Sequence, residues 1–362
     1  MESNTIVRED LERIVNGLSE HEVSFFDGSE ILVTGASGFI GFYIFKFLSN
    51  FRDELGIKKV TALDNFLLGT PRWIDQVQKA DENIRFYQFD ISKDNLHSIN
   101  RTAKCNLVIH MASIASPSYY RRYPLNTLDA NVWGLRNLLD FYSNKNLDGF
   151  LNFSSSEVYG DPDPSHIPTD EDYKGNVSFN GPRACYDEAK RFSETLAYVF
   201  MKEFGMKITS VRPFNNYGPG MRYEDKRVPS DFARAVVENR PIEVLSNGTP
   251  KRTFCYISDA VTGYLKAASF GKFDFFNIGM DRPEITIDEL AEIFMKEGKR
   301  ILGYERPIVY SRSLDKEYLS DNPQRRCPDI RKARNLLNFR PKIEVKEGVA
   351  RYLLYLKEDV KA

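Results

Sequence analysis

Short apolar runs at residues 31–34, 59–63, 84–89, 107–110, 150–153 and 208–211 alternate with helix-length segments. Brief β-branched runs without polar alternation are strands covered on both faces, and parallel strands need helix-sized crossovers between them. The pattern therefore predicts the α/β class: a doubly wound parallel sheet with helices on both sides. Two intervening helices, 125–142 and 186–204, are apolar on more than one side; the first carries Trp133, Leu135, Leu138, Leu139 and Phe141. A second apolar stripe needs either its own core or another chain to cover it. Beyond about residue 215 the pattern becomes irregular, with loops around 222–229 and 246–251, as in a smaller substrate lobe. No Pro/Gly-rich linker divides the chain, so the lobes are expected to interleave. The division expected is 29–214 for the main domain with a later contribution from about 253–279, and 215–362 mainly for the substrate lobe. Residues 1–28 form an N-terminal helical extension, in which Arg8-Glu9-Asp10-Leu11-Glu12-Arg13-Ile14-Val15 reads as an appended surface helix.

Composition narrows the class without choosing a reaction. The 362 residues are 42% hydrophobic and 28% charged, with a net charge of −1. That balance offers nothing to nucleic acid or to an anionic membrane surface. Cys105, Cys185, Cys255 and Cys327 are too scattered for metal-type spacing and read as reduced thiols of a cytoplasmic protein. No metal site is expected. No apolar run approaches the ~18 residues of a membrane span, and the N-terminus has no signal-peptide core.

The first chemistry-bearing motif follows the first strand. Gly35-Ala36-Ser37-Gly38-Phe39-Ile40-Gly41 is a glycine turn running into a helix, spaced Gly-x-x-Gly-x-x-Gly. Glycines permit the tight turn and let backbone N–H groups approach a pyrophosphate at the helix N-terminus. This is a variant of the dinucleotide fingerprint of Rossmann-like sheets. The second strand ends in Asp64-Asn65; a carboxylate there accepts hydrogen bonds from a ribose diol and repels a 2′-phosphate. No arginine follows until Arg72, which favours NAD over NADP. Asp90-Ile91, closing the third strand, is placed to hold the adenine edge. Ala112, Ser113, Asn131 and Pro213 complete the cofactor-binding set, with Tyr186 and Lys190.

The second motif is Gly181-Pro182-Arg183-Ala184-Cys185-Tyr186-Asp187-Glu188-Ala189-Lys190. Residues four apart share a helix face, so the Lys190 ammonium lies near the Tyr186 phenol. A neighbouring cation favours phenolate and brings a group that titrates near ~10 toward neutral pH as a general base. Oxidation of a sugar hydroxyl requires such a base. His110, at a strand end, reads as a packed neutral imidazole.

With these motifs in place, the chain resembles the extended short-chain dehydrogenase/reductases that act on nucleotide sugars, over about residues 29 to 350. Within that family it looks most like the UDP-glucuronate decarboxylases. The resemblance rests on His110-Met111-Ala112-Ser113-Ile114-Ala115-Ser116-Pro117, Ser154-Ser155-Ser156-Glu157-Val158-Tyr159-Gly160, the 181–190 motif, Arg212-Pro213-Phe214-Asn215-Asn216-Tyr217-Gly218, and Asp321-Asn322-Pro323-Gln324-Arg325-Arg326-Cys327-Pro328-Asp329-Ile330. It implies that Ser155 hydrogen-bonds the hydroxyl being oxidised, and that Glu157 and Arg326 handle carboxylate and proton. It also implies that Asn215 meets the diphosphate, that Arg252 meets the nucleotide, and that the enzyme is a homodimer. A diphosphate and a uronate together carry about three negative charges, so Arg183, Arg227, Arg252 and Arg326 are candidate ligands by bidentate pairing.

The residues after Ser155 separate the possible reactions. Sugar 4,6-dehydratases of this kind carry an Asp-Glu pair, whereas this chain has Ser156-Glu157. A serine does not deliver a proton as a carboxylic acid does, and the 4-epimerases usually lack the glutamate. Decarboxylation of a UDP-linked uronate with NAD recycled is therefore the first expectation. A 4,6-dehydratase in which Ser156 or water replaces the acid comes second, and a non-catalytic NAD-sensing protein third. The chain departs from the family in Gly41-Phe42-Tyr43, Leu67-Leu68 and Leu245-Ser246; the last leaves the nucleotide base open.

Overall fold

Alternation within each strand decides which layer a side chain joins. In β1 (Glu30–Thr34), Ile31 and Val33 enter one apolar core while Leu32 enters the other. The same division holds for β4 (Leu107–His110), where Leu107 and Ile109 oppose Val108. The computed structural model describes residues 4–359; residues 1–3 of the extension and 360–362 of the C-terminal part lie outside the described residues. The remaining strands are β2 (Lys59–Asp64), β3 (Ile84–Gln88), β5 (Gly149–Phe153), β6 (Ile208–Pro213) and a late strand, Asp274–Ile278. Together they form a seven-stranded parallel sheet in the order Asp274–Ile278, β6, β5, β4, β1, β2, β3. The six strands expected from the pattern are present, with ends shifted by a residue or two. One face is covered by helices Phe39–Phe51 and Ile257–Ala268, the other by Leu135–Tyr142 and Ala184–Phe204. The fold is a Rossmann-like doubly wound sheet.

Strand β1 pairs with β2 on one side and β4 on the other, so the chain winds away from it in both directions. Ligands of open α/β sheets bind in the crevice beyond the carboxyl ends at such a switch point. The glycine turn sits there.

Two expectations need correcting. The N-terminal helix is not an appended surface element. It spans Thr5–Asn16, capped by the Asn4 side chain, and buries Val7, Leu11 and Ile14. Fully buried Asp10 accepts hydrogen bonds from the Tyr43 and Tyr256 hydroxyls, each 2.7 Å, and from Arg351 Nη2 at 2.7 Å. A buried carboxylate is tolerated only with such partners, and they come from distant parts of the chain. The expected 125–142 helix is also interrupted: Pro124–Asp129 and Leu135–Tyr142 are joined by a π-helical turn, Ala130–Gly134. At Gly134 a Cβ would lie 2.6 Å from the Ile91 side chain, so the turn lets helix and sheet end approach.

The C-terminal half adds small sheets beside this crevice. Lys251–Arg252 is flanked by Ile285–Thr286 and Arg325–Arg326, with Arg326 directly opposite Arg252. Among the described residues no helix is long and apolar enough to cross a membrane.

Candidate active site

The cofactor crevice is made largely of backbone. Gly35 has φ +69°, and a Cβ there would lie 2.6 Å from the Ala112 backbone; at Gly41 it would lie 2.1 Å from the Ala36 carbonyl oxygen. Gly38 is the N-cap of the following helix and lines the crevice. The Asp64 carboxylate accepts from Ser37 N at 2.9 Å and from Phe66 N at 2.8 Å, which fixes it beside the turn. Gly35, Ser37, Gly38, Asp64, Asn65, Asp90, Ile91, Ala112 and Ser113 all line one cleft. Asn131 stands one layer back, its amide nitrogen donating to Ser113 Oγ (3.0 Å) and Thr127 O (2.7 Å), while its buried Oδ1 has no hydrogen-bond partner among the described residues. Phe39, Ile40 and Gly41 lie in the helix behind the turn, and Pro213 ends β6; none of these four is part of the cleft wall. The Asp90 carboxylate is occupied by Ser92 N and Oγ, at 3.0 and 2.6 Å.

The residues carrying the candidate chemistry meet past the end of β5. Ser155 caps a short 3₁₀ turn, Ser156–Tyr159, its Oγ accepting from Glu157 N at 3.2 Å; Ser156 is buried in the same turn. The turn is braced from below: Arg212 forks onto Glu194 at 2.6 and 2.8 Å, and Ser154 Oγ donates to the same carboxylate at 2.6 Å. Helix Ala184–Phe204 presents Tyr186 and Lys190 on one face, both buried. Tyr186 hydrogen-bonds with Ser155 and stacks on Tyr120, with ring centroids 5.2 Å apart at 10°. The expected placement of this pair is therefore present, but the expected electrostatics are not. Burial pushes the Tyr186 phenol up to about 12, against the pull of the Ser155 hydrogen bond. Burial also lowers the Lys190 ammonium to about 7, and its Nζ donates to Phe153 O at 2.5 Å. Desolvation is the largest cause of both shifts. His110 is buried as anticipated, 2.8 Å from Thr34 Oγ1, with burial bringing its pKa down to about 3.

Next to the phenol lies a buried charge cluster. Glu157 Oε2 is 2.6 Å from Arg183 Nη2 and 2.5 Å from Arg326 Nη2. Burial raises the Glu157 carboxyl, but these two arginines override it and hold the group ionised, well below the usual carboxylate range. Arg183 also contacts Asp187 through Nε at 3.3 Å, and burial with the nearby Glu157 charge pushes the Asp187 carboxyl upward. Burial, then the Arg326 charge, brings Arg252 down to about 9. Arg183, Arg252 and Arg326 gather around Glu157 and Asp187, with Asp161 also acting on Arg252. A cluster rich in guanidinium groups is suited to an anionic ligand.

Three expected ligands have internal partners. Arg252 donates to Lys251 O (2.8 Å), Pro323 O (2.5 Å), Gln324 O (3.1 Å) and Asn322 Oδ1 (3.3 Å). Asn215, at φ +42°, gives its amide nitrogen to Thr253 O at 2.8 Å. Arg227 pairs with Asp225, Nη2 to Oδ2 at 2.8 Å, and its charge is one of those acting on Tyr186. Sequence reasoning missed Tyr120, Asp187 and Arg222. Asp187 was legible as the residue after the tyrosine in a motif already singled out. Tyr120 belongs to the aromatic run Tyr119-Tyr120-Arg121-Arg122-Tyr123 behind the 110–117 segment. Arg222 had no local signal: it reaches Ser37 from 185 positions away.

Residues 31–279 match the NAD dependent epimerase/dehydratase family. The chain belongs to that family, and its cofactor is NAD. Among curated relatives, UDP-glucuronic acid decarboxylase 1 of Xenopus tropicalis is 33% identical, over 92% of this chain and 73% of that protein. UDP-glucuronic acid decarboxylase 6 of Arabidopsis thaliana is 34% identical over 90% of this chain and 88% of its own length. Among solved structures, the UDP-glucose 4-epimerase of Thermotoga maritima with UDP-glucose superposes with a TM-score of 0.78 at 25% identity, over 91% of this chain and 99% of that one.

Proposed function

We propose that this protein is an NAD-dependent decarboxylase of UDP-glucuronate or a close nucleotide-linked uronate, giving a UDP-xylose-type product. The observation that carries the reading is Glu157, held ionised between Arg183 and Arg326 beside Ser155 and Tyr186, with Ser156 where a dehydratase has its acid. The curated relatives bearing the decarboxylase name support it.

NAD supplies a reversible two-electron sink for the C4 carbon when bound in the glycine-turn cleft, with Asp64 for the ribose diol and Ser113, backed by Asn131, along the wall. Ser155 orients the C4 hydroxyl, and Tyr186 takes its proton, leaving a 4-keto sugar. The C6 carboxylate is then β to a ketone, so CO₂ leaves with its bonding electrons passing into an enolate. Arg326 and Arg183 hold the departing carboxylate. Glu157 manages the proton that C5 gains; Arg326, always protonated in this range, serves as a clamp and not as an acid. Tyr186 returns its proton when the ketone is reduced, so the net change is one proton taken up and one CO₂ released. A phenol pushed up by burial is a stronger base once ionised and a weaker acid on the return step.

In this reading residues 29–214, with the 253–279 return, carry the cofactor, and 215–362 mainly hold the sugar nucleotide. Arg227, Arg252 and Asn215 are assigned to the diphosphate and nucleotide end. The protein is read as a cytoplasmic homodimer: its four cysteines are free, and Leu125, Trp133, Phe192 and Tyr198 are exposed on the two apolar helices. Sedimentation returning only a monomer would remove the dimer.

Incubation with NAD⁺ and UDP-glucuronate, and separately with dTDP-glucose, tests the reaction by product mass. The uronate should lose CO₂ and the neutral sugar should remain unchanged. Loss of water from dTDP-glucose, with the uronate intact, would put the dehydratase reading in its place.

A further inference from the structure

A segment from the C-terminal half crosses the cofactor end of the molecule. Between Asn216–Tyr217 and the helix Val228–Val237, residues 218–227 touch the glycine turn and its helix at three places. Gly220, at φ +84°, sits so close to Phe42 that a Cβ would lie 2.4 Å from the ring. The Arg227 guanidinium lies 5.4 Å from the Phe39 ring centroid. Arg222 donates to Ser37 O at 3.4 Å, to Gly69 O at 3.1 Å and to Leu68 O. The segment is held in turn by Ser116 Oγ donating to Asp225 O (2.6 Å) and Ser230 Oγ donating to Arg222 O (3.0 Å).

Arg222 thus ties the loop after Asp64 to the glycine turn, and it lines the same cleft as Gly35, Asp64 and Ser113. All three acceptors are neutral carbonyls, and among the described residues Arg222 has no carboxylate partner. Its charge is not taken up in an ion pair, beside a cleft proposed to take an anionic dinucleotide, where a guanidinium is favourable. We propose that Arg222 is a cofactor-holding residue: it clasps the 65–69 loop and the glycine turn around the dinucleotide and adds a positive charge to its cleft. The consequence rests on the decarboxylase reading, in which NAD must stay bound between oxidation and reduction of the same sugar. A cofactor lost between those steps leaves the 4-keto sugar as product.

Exchange of bound NAD against excess labelled NAD, measured by gel filtration of the holoenzyme without substrate, tests the clasp directly. Arg222→Ala should exchange about tenfold faster than the unaltered protein, the loss expected for hydrogen bonds from a charged donor. Arg222→Met, which keeps the aliphatic stem and removes only the donors and charge, should behave the same and serves if the alanine variant folds poorly. Exchange at the unaltered rate in the folded variant would overturn the proposal, whatever sugar is turned over. A second readout is product mass with UDP-glucuronate: the variants should shift from pentose toward the two-electron-oxidised keto sugar. Faster exchange without any decarboxylation by the unaltered enzyme would uphold the clasp and reject the proposed reaction.

Discussion

The two halves of the site are built from different material. The cofactor cleft is largely backbone-made: Gly35, Ser37 and Gly38 of one turn line it, and Asp64 is oriented by two main-chain N–H groups. The sugar half is side-chain-made, with Glu157, Arg183, Arg252 and Arg326 arriving from a 3₁₀ turn, a helix cap and two short strands. A backbone cradle is most sensitive at its glycines, where a Cβ has no room. A buried charge cluster has the opposite weakness: each member depends on the others, because removing one leaves an unpaired charge out of water.

Substitutions that separate the halves sharpen this contrast. The largest effect is expected from Tyr186→Phe: turnover should fall about 10³-fold, as for loss of a general base, while NAD binding by equilibrium titration stays within error. A mutant that turns over normally would remove the phenol from the chemistry. Glu157→Gln should slow CO₂ release about 10²-fold, the scale of one lost electrostatic contact in a preorganised site, yet leave C4 oxidation detectable in single-turnover absorbance. Equal loss of both steps would mean that Glu157 only supports the turn.

A smaller effect, on stability, is expected from Gly41→Ala. Its methyl would meet the Ala36 carbonyl, so denaturant unfolding should show a loss of roughly 1–3 kcal/mol, with the charge cluster unaffected. Unchanged stability would show that the turn relaxes and that the cradle is not limited by backbone approach. His110→Gln should matter least, changing kcat by under about threefold, as expected of a packed group outside the chemistry. Its signature is in acid. The folded His110 pKa is depressed from 6.5 to about 3, so the unfolded chain binds more protons between those values and stability falls as pH drops through that window. His110→Gln should flatten this part of the stability profile; a profile superimposable on the unaltered protein's would mean that the ring is protonated in the fold.

Legibility followed the same division as the materials. The strands, the glycine turn, Asp64, and Tyr186 with Lys190 were readable because each depends on a local pattern: β-branched runs, φ-permissive residues, or an i, i+4 spacing. The Glu157 clamp was readable only as separate candidates in separate segments. The raised phenol, the lowered ammonium and the burial of the N-terminal helix were not readable, since a pKa and a buried face depend on what covers a group. A charge-rich stretch such as 8–15 looks solvated until Arg351, Tyr43 and Tyr256 are found around Asp10.

By itself, then, the sequence determined the winding of the sheet, the glycine turn and the placing of Tyr186 and Lys190 on one helix face, because spacing along a chain controls what is near in a helix or a turn. Only the tertiary structure decided that Arg326 faces Arg252 across a strand pair, that Arg326 and Arg183 converge on Glu157, and that Arg222 reaches back to Ser37. Those contacts join residues far apart in the chain, and which groups end up desolvated together is settled by packing.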